Sequence, residues 1–247
     1  MRHVTQFIAV VLLSLLSTAA SARDSFLVPT PTGEVIVERL GDCSEAFCPA
    51  VIILSGSRGF GAQVYDEIGQ TFRAVGLNAY LVHVLTAADL AVIANANGAS
   101  SRIAYYADRL EGWTSDVGAV AAYLKKLPKH GGKVGLLGIS LGAQIASAES
   151  VGKTNIDALV LVDGGFPNGY SQHVDSLPPL LLIWGSDDQT FPLSVGAALK
   201  KTAQQIEVPV TFDVYQGGAH DFFLRAGTSN ASAAHQSAAS HLLTWLQ

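Results

Sequence analysis

Charge is scarce in this sequence, and one sign of it more so. Only 14 % of the 247 residues are Asp, Glu, Lys or Arg, and 20 acidic residues outnumber 15 basic ones for a net charge of −5. No run of basic residues interrupts that balance, which argues against a surface built for nucleic acid or anionic lipid. Cysteine is nearly absent as well, with two in the chain, and neither has a further Cys or a His close by at ligand spacing, so nothing supports a metal site. There is no internal repeat and no low-complexity tract, which sets aside solenoids and disordered arrays. Past residue 22 no apolar run approaches the ~20 residues that a membrane-spanning helix needs.

What remains is apolar, at 49 % of residues, and long enough to bury one sizeable core, most simply in a single domain over residues 23–247. The first 22 residues are set apart. Arg2 and His3 precede an apolar run from Phe7 to Leu16, and Ala20 and Ala22 then supply an A-x-A cleavage pattern. This reads as a secretory signal peptide, with a mature chain starting near Arg23, exported to the periplasm or the medium and free of the membrane after cleavage; the alternative is an uncleaved anchor. Cys43 and Cys48 fit that compartment, because an even cysteine count in an exported chain favours a disulfide, here closing a short loop before a strand.

Read in order, residues 23–33 form a Pro- and Thr-rich tail feeding a strand over 34–40. An unbroken apolar run, Ala50-Val51-Ile52-Ile53-Leu54, follows as a strand covered on both faces. A glycine-rich loop from Ser55 to Gly61 then opens a helix reaching about Val75. Next come a strand at 78–84, an irregular region through Gly98, and a long helix from about Ser101 to Leu127. Strands at 156–162, 179–184 and 208–215, and helices at 193–206 and 231–246, complete the alternation. Strand–helix alternation predicts an α/β fold, a mostly parallel sheet with helices on both faces and an active crevice outside the strands' carboxyl ends.

The segment Lys133 to Gly142, KVGLLGISLG, holds the first chemical signal. Gly138-Ile139-Ser140-Leu141-Gly142 fits G-x-S-x-G between an apolar strand and a helix, the sharp turn that lifts a serine hydroxyl clear of a sheet. A serine hydroxyl is a weak nucleophile, so it needs a base, and the base needs an orienting carboxylate. Later strands run into Gly185-Ser186-Asp187-Asp188-Gln189 and Gln216-Gly217-Gly218-Ala219-His220, giving the chain order Ser140, Asp188, His220. Asp187 and Asp163 stay open as alternatives for the acid. His83, His130, His235 and His241 fit the base position worse than His220. Trp113, Tyr105 and Tyr106 read as packing residues, and Arg58 as a solvated arginine beside the glycine-rich loop.

From about residue 49 to 225 the chain resembles the α/β-hydrolases of the dienelactone hydrolase-like group. The matching pieces are VIILSGSRGF, GISLG, WGSDDQTFP and GGAHDF. The resemblance implies the α/β-hydrolase fold and a nucleophile, acid and base at Ser140, Asp188 and His220. It favours Asp188 over Asp187 through the proline four residues on, and implies an oxyanion hole from the main chain of Ser57 and Leu141. Dienelactone hydrolases carry cysteine where this chain has Ser140, so their particular substrate does not transfer. Many relatives also have His-Gly where Ser55-Gly56 stands. The expectation is a hydrolase of small esters or related acyl bonds that needs no metal or organic cofactor; a peptidase or acyltransferase with the same triad, or a binding protein on the same scaffold, are the rivals. With no large insertion after residue 162, the site is expected to be open. Oligomeric state leaves no trace in the sequence.

Overall fold

A computed structural model describes residues 23–153 and 155–247; the predicted signal peptide lies outside them. Eight strands form one sheet in the order β1-β2-β4-β3-β5-β6-β7-β8. In chain order they are β1 (Asp24–Thr30), β2 (Gly33–Arg39), β3 (Ala50–Leu54), β4 (Asn78–Val82), β5 (Val134–Ile139), β6 (Ala158–Val162), β7 (Leu180–Gly185) and β8 (Val210–Tyr215). The first two join antiparallel, and all pairings from β4 to β8 are parallel. Among the described residues six α-helices accompany them: α1 (Val64–Ala74), α2 (Ala87–Asn95), α3 (Ala99–Lys126), α4 (Leu141–Ser150), α5 (Leu193–Gln205) and α6 (Ser229–Leu246).

The central strands are apolar throughout because both faces are covered. Along β3, Ala50, Ile52 and Leu54 enter one core with Trp113 and Val117 of α3, Ile145 of α4 and Leu199 of α5. Val51 and Ile53 point the other way, to Ile68 and Phe72 of α1 and Ala238 and Leu242 of α6. The period of two thus feeds two layers of helix at once. After β3 the chain moves outward to β4, then crosses back to β5 on the opposite side. That reversal leaves a crevice between the carboxyl ends of β3 and β5, where open parallel sheets place their ligands.

Two expectations are corrected. The tail over 23–33 in fact contains β1 and the turn after it, with Val28 paired to Val35 and Thr30 to Gly33 of β2. Its prolines and threonines mislead because an edge strand tolerates Pro29, and Gly33, at φ 145°, closes the hairpin. The irregular region before Gly98 contains α2, started by a capping box in which the Thr86 hydroxyl accepts from the Asp89 N–H and the Asp89 carboxylate accepts from the Thr86 N–H. Only Asp89 and Ile93 of this helix are buried, so it carries little periodic signal.

Cys43 and Cys48 form a disulfide. The corner it closes is also held by the Cys43 N–H donating to Asn78 at 2.9 Å and by the Cys48 N–H donating to the Lys129 carbonyl at 2.8 Å. With partners fixed in this way the bridge acts mainly on the unfolded chain, and a loop of so few residues implies about 2 kcal/mol. Replacing both cysteines by serine is therefore expected to lower urea-unfolding stability by about 2 kcal/mol while leaving the far-UV circular dichroism spectrum unchanged.

Candidate active site

The turn at Ser140 follows from what its neighbours cannot carry. A Cβ on Gly138 would lie 2.3 Å from the Gly142 carbonyl oxygen, and one on Gly142 would lie 2.4 Å from that of Leu54. With both positions bare, β5 turns straight into α4, and Ser140 is held at φ 55° and ψ −112°, a conformation that serine seldom adopts. Its own N–H is anchored to the Val162 carbonyl at 2.9 Å. The hydroxyl consequently stands at the N-terminus of α4, above the carboxyl edge of the sheet.

The partners arrive from β7 and β8. These strands end so close together that a Cβ on Gly185 would meet the Gly218 carbonyl oxygen at 2.2 Å. Their loops are stitched by the Asp187 N–H donating to the Gly218 carbonyl at 2.8 Å and the Gly217 N–H donating to the Ser186 hydroxyl at 2.8 Å. Asp188 is carried inward and His220 toward the crevice. Ser140 Oγ lies 2.9 Å from His220 Nε2, and His220 Nδ1 lies 2.8 Å from Asp188 Oδ2. The other oxygen of Asp188 accepts the N–H groups of Thr190 at 2.7 Å and Phe191 at 2.9 Å. The Asp188 side chain is fully buried while the imidazole is 27 % exposed, so the chain of contacts runs from core to crevice.

Each candidate named from sequence now has a place. Ser140, His220 and Asp188 converge. Asp187 does not: it is exposed and accepts from the Ser186 hydroxyl. Asp163 is buried beside Asp188 and His220, with one atom of each of the three inside a 4.8 Å cluster. His130 bonds Tyr80 and the Cys48 carbonyl, His235 the Phe223 carbonyl and His241 the Pro179 carbonyl, all away from Ser140. His83 sits against Glu38 and Phe60. Arg58 is exposed, and Trp113 is fully buried between Tyr105 and Tyr106. Leu141 opens α4, where its N–H has no acceptor inside the helix. Ser57 follows Gly56, whose main chain packs on Ser140: a Cβ there would be 3.4 Å from Ser140 Cβ.

Three supporting residues escaped the sequence reading. Trp184 donates its indole N–H to the Phe191 carbonyl at 2.7 Å, which fixes the loop that serves Asp188, and the Phe191 ring lies 5.6 Å from that of His220. The only signal for them is the WGSDDQTFP string itself. Asp89, at the start of α2, gathers the Thr86 hydroxyl, the Tyr105 hydroxyl at 2.6 Å and Arg109 at 3.0 Å. Burial works against that carboxylate, yet the three side-chain donors and the Thr86 N–H outweigh it and lower its pKa to about 2. The network ties α2 to α3 beside the glycine-rich loop, where Leu90 packs on Gly59.

With this geometry in view, the comparisons give the class. The model of the dienelactone hydrolase family matches residues 40–247, and the chain belongs to that family of α/β-hydrolases. Solved structures share the fold at low identity. A dienelactone hydrolase from Anabaena variabilis superposes with a TM-score of 0.70 at 18 % identity, over 92 % of this chain and 99 % of that one. A dienelactone hydrolase-like promiscuous phosphotriesterase from metagenomic libraries gives 0.70 at 19 %, over 92 % and 99 %. An esterase from Pyrobaculum calidifontis gives 0.66 at 14 %, over 92 % and 86 %. No curated protein matches the sequence.

The glycines of the turn make a test that needs no substrate. Gly142→Ala would press its methyl on the Leu54 carbonyl, whereas nothing lies within 4 Å of a Cβ on Gly61. Thermal unfolding is expected to show a loss of roughly 3 kcal/mol or more, or no folded protein, for Gly142→Ala, and a change within about 0.5 kcal/mol for Gly61→Ala.

Proposed function

We propose that this family member is an exported serine hydrolase that cleaves a carboxylic ester or related acyl bond through an acyl-enzyme on Ser140, within one hydrolase domain over residues 23–247. The observation that carries the reading is the continuous path of contacts Ser140 Oγ, His220 Nε2, His220 Nδ1, Asp188 Oδ2, at 2.9 and 2.8 Å. Export is supported by the apolar N-terminal segment with its A-x-A pattern and by the disulfide.

In this reading His220 Nε2 takes the Ser140 proton as Oγ attacks the acyl carbon, and Asp188 holds Nδ1–H so that Nε2 faces the hydroxyl. Negative charge collects on the former carbonyl oxygen. The Leu141 N–H, unpaired at the head of α4, and the Ser57 N–H, in the loop packed on Ser140, are its donors, and losing one such donor costs about 3 kcal/mol of transition-state stabilisation. His220 then passes its proton to the leaving alcohol, and water attacks the acyl-enzyme with the same imidazole as base. The segment from Asp163 to Pro179 contains no helix or strand to form a lid, which supports small or soluble esters as substrates.

Rates on a short aryl ester such as p-nitrophenyl acetate test the assignment. Ser140→Ala and Asp188→Asn are each expected to lower kcat by about a thousandfold or more with their folds intact. A Ser140→Ala variant as active as the wild type would refute it.

A further inference from the structure

Asp163 has no role in the scheme just given, and its setting is unusual. It follows β6, the neighbour of the nucleophile strand, and is completely buried. Its backbone is held at a positive φ of 45°. Oδ1 accepts the Gly185 N–H at 2.9 Å, while Oδ2 is buried with no hydrogen-bond partner. Within 4.8 Å lie atoms of both Asp188 and His220.

An ionised carboxylate in that position would be poorly served. The charged or titratable groups that act on it are Asp188 and Asp221, both acidic, with His220 beside it, and among the described residues no Lys or Arg makes an ion pair with it. Burial above all, and then repulsion from Asp188 and Asp221, raise its pKa to about 8 against the pull of the Gly185 N–H. Asp188 is treated the opposite way: each of its contacts, with Thr190, Phe191 and His220, is with a donor. Two carboxyl groups side by side thus differ in their partners: both oxygens of Asp188 are met by donors, and only one oxygen of Asp163 is.

Resting on the triad reading above, we propose that Asp163 is a positioning residue of the relay, a neutral carboxylic acid whose proton faces Asp188 and steadies the Asp188–His220 hydrogen bond. When it ionises, two anions share one buried corner, and repulsion between them loosens Asp188 from His220. The sign follows. As pH rises through about 8 the bracing is lost and the rate falls. Because the folded-state pKa is raised, the group's contribution to stability is full below the ordinary carboxylate range and is lost progressively as pH climbs from there to about 8.

The experiment is the pH dependence of kcat/KM on p-nitrophenyl acetate between about pH 6 and 10 for the wild type, Asp163→Asn, Asp163→Leu and Asp188→Asn. The wild type is expected to decline with a midpoint near 8, and Asp163→Asn, which keeps a donor that cannot ionise, to lack that midpoint. Asp163→Leu is expected to lose roughly ten- to a hundredfold in kcat with little change in KM, and Asn to recover most of that loss. If the Asn variant keeps the wild-type midpoint, the inference is wrong, and that comparison decides even if the Leu variant does not fold. Asp188→Asn separates the two levels: a wild-type rate there overturns the triad itself, whereas a collapse there beside an unchanged Asp163→Asn profile overturns only the role of Asp163.

Discussion

Everything at the carboxyl edge of this sheet depends on main chains meeting where a Cβ would keep them apart. Gly138 lies on Gly142, Gly142 on Leu54 and Gly185 on Gly218, each closer than any side chain allows. The first two contacts produce the turn that presents Ser140. The third draws the β7 and β8 loops together so that Asp188 and His220 arrive in one place. Backbone proximity, secured in a core of fully buried strands, converts residues 32 and 80 positions apart into hydrogen-bonded neighbours.

The distribution of polarity around that edge follows the same economy. Asp188, buried, is surrounded by donors; His220, partly exposed, bridges it to the crevice; Asp163, buried deeper, lacks a second partner. The donors for Asp188 are main-chain N–H groups from its own loop, and Trp184 pins that loop by reaching from the strand beneath it. A tryptophan at this position therefore links the packing of the core to the orientation of the acid, as does Gly185, whose N–H serves Asp163 while its missing side chain admits Gly218.

Much of this was legible before any coordinates. Unbroken apolar runs such as AVIIL located β3 and its neighbours because strands covered on both faces have no polar side to show. GISLG marked its turn because sterics leave few alternatives there. Less was visible where signals are weak. The hairpin strand β1 was hidden by Pro29 and the threonines around it, and α2 by its shallow burial, although the Thr86 and Asp89 pair that caps it stood in the sequence. The choice of Asp188 over Asp187 rested on resemblance, since two adjacent aspartates differ only in which way the loop turns them. The surroundings of Asp163 could not be read at all, because an orphaned oxygen is a property of three dimensions.

The central claim is that the relay makes the Ser140 hydroxyl reactive at neutral pH. Incubating the mature protein with a fluorophosphonate and mapping the adduct by peptide mass spectrometry measures that reactivity directly. The account predicts a single covalent adduct on Ser140, lost when His220 is replaced by alanine; an unlabelled Ser140 in folded protein, or an adduct elsewhere with Ser140 untouched, would contradict it.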